Sequence, residues 1–262
     1  MKSSNIRYDF KGKRVLVTGA SRGIGYAIAK DFAAAGAEVF ILASGDSIYS
    51  AADSLTAELS VEVTAVRCDI TDSDQVRQTM DNIGKLDILI NNAGLERITP
   101  LREADSKTEQ TFRRIIEINV IGTYLVTRHA ISKMGHGGRI ILTASIWSRT
   151  AVAEFSAYCA SKHANLGFMR SIAHELGPDG ITVNAVCPGW IKTEASMLSL
   201  KDMSIRSGKA ESELLDEITG AQVLDGLMMP ADISSLYLFL ASNDASNITG
   251  QAYMLDRGEV MA

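Results

Sequence analysis

The chain is poor in cysteine, and its thiols are not arranged as pairs. Its 262 residues include three cysteines, Cys68, Cys159 and Cys187, and four scattered histidines. The odd number and wide separation of the cysteines predict reduced thiols, with no disulfide framework. No histidine, cysteine and carboxylate spacing is typical of a metal site. We therefore expect a cytoplasmic protein that holds no metal.

Long apolar runs and basic runs are also missing. No stretch reaches the ~18 apolar residues typical of a membrane-spanning helix, and residues 1–10 lack the apolar centre of a signal peptide. The net charge is -5 and no cluster of lysine and arginine stands out, which disfavours nucleic acid or an anionic membrane as a partner. The expected partner is a small-molecule substrate.

Apolar strand-like runs alternate with helical patterns from one end of the chain to the other. This order predicts right-handed crossovers and a parallel sheet. We expect a single α/β domain over 1–262, a Rossmann-like doubly wound sheet of about seven strands with helices on both faces. The predicted strands are 14–18, 38–42, 61–67, 86–90, 139–143, 181–186 and 252–255, and the clearest helices are 26–35, 109–133 and 158–176. The polar interval 194–219 is either a substrate loop or lid, or a solvated pair of helices.

A glycine loop follows the first predicted strand. Gly19 permits the tight turn, Gly23 lets the backbone approach a pyrophosphate, and Gly25 lets the next helix pack closely on the sheet. The amides at the start of that helix would meet the phosphates. The sequence therefore predicts a dinucleotide site.

The end of the second strand bears on the choice between NADP and NAD. Ala43 and Ser44 stand where an NAD-selecting enzyme usually has an acid. Arg22 and Ser44 would meet a 2′-phosphate, which favours NADP(H), whereas Asp46 bending inward would favour NAD(H). Arg22 as a solvated loop cation is the other interpretation.

Tyr158 and Lys162 lie one helical turn apart, so their side chains share a face. A phenol has a pKa of ~10, and a neighbouring ammonium is expected to lower it, as general acid–base catalysis requires. Ser145 ends the fifth strand, where its hydroxyl would meet a substrate oxygen. Asn119 lies in the apolar stretch 115–121, where its amide is expected to distort the helix locally. Asp69 either receives the adenine amino group or caps the following helix.

Together these motifs resemble the classical short-chain dehydrogenase/reductase family from about residue 10 to the last strand. The resemblance implies that Tyr158 exchanges the proton, Lys162 lowers its pKa and holds the nicotinamide ribose, Ser145 orients the carbonyl, and Asn119 holds a relay water. It further implies that Thr193 and the backbone near Ile191 bind the carboxamide. The implied cofactor-binding residues are Gly19, Ser21, Arg22, Gly23, Ile24, Gly25, Ser44, Asp69, Ile70, Asn91, Ala93, Gly94, Tyr158, Lys162, Pro188, Gly189, Ile191 and Thr193.

The substrate is less well defined than the reaction. Pocket residues are expected to include Ser145, Trp147, Glu154, Tyr158 and Trp190, with Glu96, Ile146, Phe155 and Met197 nearby. Such a mixture suits a medium-sized ketone, a sugar or a polyol. The family resemblance implies a homotetramer, with a dimer as the second choice. Residues 256–259 depart from the usual Asp-Gly-Gly of relatives, and we expect this departure to leave the active site untouched.

The sequence favours an NADP-preferring alcohol dehydrogenase or carbonyl reductase as the function. Three alternative functions remain. A 3-oxoacyl-[acyl-carrier-protein] reductase would need basic residues to dock its acidic carrier, but the segment 177–179 carries Asp179. A nucleotide-sensing scaffold of the same fold would typically lose one of the tyrosine, lysine or serine groups, all of which are present. A sugar-nucleotide epimerase also uses a Tyr–Lys pair, but its usual length and glycine spacing differ.

Overall fold

The structure, a computed structural model, describes residues 8–103 and 105–261. Its strands form one parallel sheet of seven in the order β3-β2-β1-β4-β5-β6-β7. The strands are β1 (Arg14–Thr18), β2 (Glu38–Ala43), β3 (Val63–Arg67), β4 (Ile88–Asn91), β5 (Arg139–Thr143), β6 (Thr182–Pro188) and β7 (Ala252–Leu255). The predicted fold class, a Rossmann-like doubly wound sheet, is confirmed.

Helices cover both faces of the sheet because the side chains of each strand alternate between two apolar layers. In β1, Val15 and Val17 pack in one layer, and Leu16 packs in the other. The helices are α1 (Gly23–Ala34), α2 (Ser47–Leu59), α3 (Ser73–Ile83), α4 (Ser106–Ile116), α5 (Thr123–Ile131), α6 (Ser156–Leu176), α7 (Glu194–Ser207), α8 (Glu211–Gly220) and α9 (Pro230–Ala241). The first layer contains residues of α1, α2 and α9, and the second contains residues of α3, α5 and α6.

The helix predicted over 109–133 is not continuous. A π-helical segment, Glu117–Gly122, separates α4 from α5, so the local distortion expected at Asn119 is confirmed. The Asn119 side chain bonds to groups outside its own helix, while its carbonyl accepts from the Thr123 hydroxyl at 2.8 Å. A π-bulge of this kind is frequent at functional sites.

Smaller differences concern the ends of elements. The third strand begins at Val63 and not at residue 61, because Ser60 ends α2 with a left-handed φ of 56° and Val61 is exposed. The interval 194–219 forms the helices α7 and α8, which pack on each other. The expected pair of helices is therefore observed, and the role of this interval as a substrate lid stays a prediction.

The order of the strands determines where a ligand can bind. Chain connections run outward in opposite directions from β1 and β4, so a crevice opens beyond the carboxyl ends of these two strands. Ligands bind at such topological switch points in open α/β sheets. The glycine loop follows β1, and the residues after β4 and β5 share the same edge.

Candidate active site

The glycine loop between β1 and α1 packs so closely on its neighbours that it leaves no room for a Cβ at Gly19 or Gly25. Gly19 has a φ of 65°, and a Cβ there would lie 2.7 Å from the Ala93 Cα. A Cβ on Gly25 would lie 2.5 Å from both the Gly19 carbonyl oxygen and the Asn92 Nδ2. The start of α1 has no side-chain cap and no acid in its first turn. Its free amides and positive dipole end therefore suit a phosphate group.

Asn92, and not Asn91, faces the glycine loop. The Asn92 amide donates to the carbonyls of Thr18 at 3.0 Å and Gly19 at 3.2 Å. The Thr18 hydroxyl in turn accepts from the backbone amide of Asn92 at 3.0 Å. Asn91 is buried and donates to the Thr127 hydroxyl of α5 at 2.9 Å. Asn91 thus braces the sheet against α5, and Asn92 holds the loop.

Charged groups near the end of β2 leave Ser44 open to the cleft. Asp46 does not bend inward, because its carboxylate pairs with Arg67 at 2.9 Å and it is absent from the cleft lining. Arg22 lies in the glycine loop and pairs with Glu194 of α7 at 3.5 Å, with both side chains largely exposed. Ser44 and Arg22 both line the cleft.

Asp69 lines the same cleft beyond β3 and does not cap the next helix. Its carboxylate accepts from the Thr71 amide at 3.0 Å and the Thr71 hydroxyl at 2.8 Å. Burial raises its pKa, but these hydrogen bonds and the Arg114 charge outweigh burial, so the pKa lies below its usual value. Asp72 provides the cap of α3. The Asp69 carboxylate is therefore an ionised acceptor at the cleft.

Ser145, Tyr158 and Lys162 converge at the carboxyl end of β5. The Ser145 Oγ accepts from the Trp147 amide at 3.2 Å, and its hydroxyl hydrogen can donate to Tyr158 or to a substrate carbonyl oxygen. The Trp147 ring meets the Tyr158 ring at 5.8 Å in an edge-on arrangement. The Lys162 Nζ lies 5.4 Å from the centroid of the Tyr158 ring and donates to the Thr143 carbonyl at 2.7 Å.

Burial has the largest effect on the pKa values of Tyr158 and Lys162. Burial first, and then the Glu96 charge, raise the pKa of Tyr158 well above its ordinary value, while the Ser145 hydroxyl acts in the opposite direction. Desolvation of the phenolate therefore dominates the pKa of Tyr158, and the lowering expected from Lys162 stays a prediction. Burial also lowers the pKa of Lys162 to about 8. At neutral pH the phenol is a protonated donor beside an ammonium.

Asn119 joins the loop after β4 to α6. Its Oδ1 accepts from the Leu95 amide at 2.7 Å, and its Nδ2 donates to the Leu95 carbonyl at 3.0 Å and to the Ser161 Oγ at 2.9 Å. Asn119 is fully buried. Its side chain therefore fixes the backbone of Leu95 with both of its polar ends, and the relay water stays a prediction.

The segment after β6 leads into α7 and closes the far wall. Thr193 caps α7 by accepting from the Ser196 amide at 3.1 Å, and the Ile191 carbonyl accepts from the Ser196 hydroxyl at 2.7 Å. A Cβ on Gly23 would lie 3.4 Å from Thr193. The two ends of the cleft, the glycine loop and the cap of α7, therefore approach each other.

One cleft of about 910 Å³ brings most of the predicted site residues together. Gly25, Asn91, Asn119 and Glu154 are not among the residues that line it. Glu154 lies in a neighbouring groove, where its carboxylate pairs with Arg206 of α7 at 2.9 Å. The predicted residues that do line the cleft are Gly19, Ser21, Arg22, Gly23, Ile24, Ser44, Asp69, Ile70, Ala93, Gly94, Ser145, Trp147, Tyr158, Lys162, Pro188, Gly189, Trp190, Ile191 and Thr193.

The carboxy-terminal departure does reach the cleft. Glu259 and Val260 line it, so the expectation that residues 256–259 leave the active site untouched is wrong. Arg257 adopts a left-handed φ of 57°, and its guanidinium donates to the Asp225 carbonyl. The Asp256 carboxylate accepts from the Gly258 and Val260 amides. This turn folds the tail back over Gly189.

Residues 8–103 and 105–261 include no group of three or more histidine, cysteine, aspartate or glutamate side chains placed to hold a metal ion. None of the helices they form is both long and apolar enough to cross a membrane.

Comparisons with known proteins agree with this geometry. The family model described as Enoyl-(Acyl carrier protein) reductase matches residues 19–259. A 3-oxoacyl-[acyl-carrier-protein] reductase of Rickettsia bellii is 34% identical over 97% of this chain and 99% of its own.

Two solved structures are also similar. A short chain dehydrogenase from Burkholderia cenocepacia, in complex with NADP, is 32% identical with a TM-score of 0.83, covering 95% of this chain and 98% of its own. L-sorbose reductase from Gluconobacter frateurii, complexed with NADPH and L-sorbose, is 28% identical with a TM-score of 0.88, covering 98% and 100%. With its glycine cradle and its Ser145, Tyr158 and Lys162 side chains in one cleft, the chain is an oxidoreductase of the classical short-chain dehydrogenase/reductase family.

Proposed function

We propose that the protein transfers a hydride between NADP(H) and a secondary alcohol or ketone, with a sugar, a polyol or a medium-sized carbonyl compound as substrate. The observation that carries this proposal is the convergence of Ser145, Tyr158 and Lys162 on the cleft that begins at the glycine loop. Bound NADPH supplies the hydride. The protein supplies the proton, the orientation of the carbonyl and the exclusion of water.

In the reduction, the buried and protonated Tyr158 donates its proton to the carbonyl oxygen. Ser145 donates a second hydrogen bond to the same oxygen, because its Oγ already accepts from the Trp147 amide. Lys162 holds its ammonium near the phenol ring through the Thr143 carbonyl, where its positive charge stabilises the phenolate that forms. In the oxidation, the same phenolate accepts the proton of the alcohol.

The cofactor preference rests on the surroundings of Ser44. Asp46 is held away by Arg67, so its carboxylate does not repel a 2′-phosphate there. The Arg22 guanidinium is exposed at the cleft and suits a phosphate group. The similar structures from Burkholderia cenocepacia and Gluconobacter frateurii, which contain NADP and NADPH, support the same preference over NAD(H).

We propose that residues 1–262 form a single domain, in which 194–219 is the substrate lid. α7 contributes Glu194, Ser196 and Met203 to the cleft, and α8 contributes Ile218. Exposed ion pairs hold α7 in place through Arg206. Such pairs are worth ~1 kcal/mol or less each, so they would yield readily when the helices open.

A homotetramer in the cytoplasm, with a dimer as second choice, is the proposed assembly. Phe112, Ile121 and Tyr124 are large apolar residues of the α4–α5 region that lie exposed, and a subunit interface would cover them. The three cysteines are free thiols, as a reducing compartment allows. Light scattering on a gel-filtration peak would measure the assembly.

A 3-oxoacyl-[acyl-carrier-protein] reductase is the second candidate, favoured by the Rickettsia bellii relative. Such an enzyme would reduce a 3-oxoacyl thioester and be inactive on free sugars. A panel of ketones, sugars, polyols and a 3-oxoacyl thioester, followed by NAD(P)H absorbance with both cofactors, separates the two. A sugar or ketone preference supports our proposal, whereas a thioester preference supports the second candidate.

The mechanism is tested by Tyr158→Phe. We expect turnover to fall on the order of 10²- to 10⁴-fold, because the variant lacks the proton donor. NADPH binding, followed by its fluorescence, is expected to stay largely intact. Normal turnover in this variant would exclude the mechanism, and an inactive wild type that still binds NADPH would favour a nucleotide-sensing scaffold.

A further inference from the structure

Two carboxylates that line the cleft, those of Glu96 and Glu259, have a buried oxygen without a hydrogen-bond partner among the described residues, and the charge of Glu96 is the one that acts on Tyr158 and Lys162. The Oε1 of Glu96 is buried and has no hydrogen-bond partner among the described residues, yet Glu96 lines the cleft. A buried polar atom without a partner costs ~1–3 kcal/mol. Such an atom in an active site is expected to meet a ligand.

The position of Glu96 is fixed through the backbone. Its neighbour Leu95 is held through both its amide and its carbonyl by Asn119. Burial raises the pKa of Glu96, and the hydroxyl of Ser199, a buried residue of α7, acts on that pKa in the opposite direction. The terminal torsion of a glutamate is soft, so the carboxyl group can turn an oxygen toward the cleft without moving this backbone.

Glu96 also lies beside the reacting groups. A Cβ on Gly94, two residues earlier, would lie 3.6 Å from the Lys162 Nζ. The Glu96 charge is close enough to raise the pKa of both Tyr158 and Lys162. A group bound to Glu96 therefore belongs to the part of the substrate next to its reacting carbon.

The cleft also contains an unpartnered polar group of the opposite hydrogen-bonding character. The indole Nε1 of Trp190 is buried and has no hydrogen-bond partner in the part of the chain that the structure describes, and Trp190 also lines the cleft. An indole N–H only donates, whereas a carboxylate only accepts. An ammonium group would satisfy Glu96 alone, and an apolar acyl chain would satisfy neither. Hydroxyl groups both donate and accept, so a polyhydroxylated substrate satisfies both.

We propose that Glu96 determines specificity by binding a hydroxyl group on the carbon next to the reacting carbonyl, so that the substrate is a hydroxyketone of the sugar or polyol class. This inference rests on the proposed function, of which it names the substrate class. The Trp190 indole then donates to a further hydroxyl oxygen.

The test compares a hydroxyketone with its deoxy analogue, 3-hydroxy-2-butanone against 2-butanone, in wild type, Glu96→Ala and Glu96→Gln. We expect the wild type to prefer the hydroxyketone in kcat/KM. Glu96→Ala is expected to lose about ten- to a hundredfold on the hydroxyketone, and less than about threefold on 2-butanone. Glu96→Gln retains an acceptor oxygen, so its kcat/KM on the hydroxyketone is expected to lie between those of the wild type and Glu96→Ala. Equal losses on both ketones would overturn the inference.

A surface variant provides the matched control. Glu109→Gln changes an exposed glutamate of α4 that pairs with Arg113, so its two kcat/KM values are expected to equal those of the wild type. Thermal melting of each variant separates misfolding from lost recognition. If Glu96→Ala melts early, Glu96→Gln carries the comparison, because its size and shape are nearly those of glutamate.

Binding without turnover separates this inference from the proposed function. The Tyr158→Phe protein loaded with NADP+ is titrated calorimetrically with 2,3-butanediol and with 2-butanol. The inference is supported if the diol binds more tightly than 2-butanol and if this difference disappears when Glu96→Ala is added to Tyr158→Phe. This result would count even if the wild type reduced no ketone. Equal binding of both alcohols would overturn it, while reduction of simple ketones by the wild type would leave the proposed function standing.

Discussion

Removing the Asn119 side chain is the sharpest test of how the site is held together. In Asn119→Ala, the Leu95 amide, the Leu95 carbonyl and the Ser161 Oγ all lose a partner. Ser161 keeps its bond to the Tyr158 carbonyl, so the two Leu95 groups carry most of the cost. A buried polar group left unpaired costs ~1–3 kcal/mol. We therefore expect the free energy of unfolding to fall by about 3–5 kcal/mol.

The assay is urea unfolding followed by circular dichroism, with kcat/KM measured on the same preparations. Because the loop that Asn119 holds also carries Glu96, we expect kcat/KM to fall at least about tenfold, the factor that ~1.4 kcal/mol corresponds to. A melting experiment should show a shift of roughly 2–4 °C for each kcal/mol lost.

Asn184 gives a matched control. It is equally buried, donates to the Ile248 carbonyl at 2.7 Å and accepts from the Gln251 amide at 3.1 Å, and does not line the cleft. Asn184→Ala should lose about 2–4 kcal/mol of stability with kcat/KM unchanged. The reasoning is refuted if Asn119→Ala costs less than about 1 kcal/mol, or if both variants lower kcat/KM alike.

Three further predictions concern the cofactor loop and the buried carboxylate. Arg22→Ala should weaken NADPH binding about tenfold or more while NADH changes less than about twofold, as measured by fluorescence titration. Gly19→Ala should cost more than the ~1–2 kcal/mol of a left-handed backbone, because its Cβ would lie 2.7 Å from the Ala93 Cα; urea unfolding measures this. Glu96→Gln should raise the melting temperature at pH 7 but not at pH 4.

The sign of the last effect follows from the pKa of Glu96, which burial raises. Below the ordinary carboxyl pKa of ~4.3, Glu96 is protonated in both the folded and the unfolded chain and contributes nothing. As the pH rises through that value, the unfolded chain loses its proton more easily, so the folded state is destabilised. A glutamine is never charged. If Glu96→Gln changed the melting temperature equally at pH 7 and pH 4, this reasoning would be contradicted. If Arg22→Ala weakened NADPH and NADH binding equally, the phosphate contact proposed for Arg22 would be wrong.

Spacing in the sequence was enough to predict the groups that share an element or an edge. Tyr158 and Lys162 share a helix face because they are four residues apart. The alternation of apolar strands and helices predicts the parallel sheet, and in a parallel sheet the residues after each strand meet at one edge. The glycine loop and Ser145 were therefore predicted to lie together before any contact was known.

Sequence could not predict which of two adjacent polar residues faces the site. Side chains alternate along a strand, so a shift of one residue reverses the direction of each. Asn91 ends β4 and reaches α5, while Asn92 reaches the glycine loop. Glu154 was predicted to line the pocket but lies in the neighbouring groove, because its pairing with Arg206 depends on where α7 packs. Long-range packing, which no local pattern encodes, decides both cases.

Glu96 shows how burial and specificity are connected in this cleft. The sequence placed it near the pocket, but its effect on Tyr158 arises because the loop held by Asn119 carries it to the cleft that Tyr158 also lines. Its charge opposes the phenolate and so opposes proton donation. A substrate hydroxyl that donates to Glu96 withdraws part of that charge from Tyr158. A hydroxylated substrate would then be favoured both in binding and in the transition state of proton transfer. Its deoxy analogue would leave the charge of Glu96, and therefore its effect on Tyr158, unchanged.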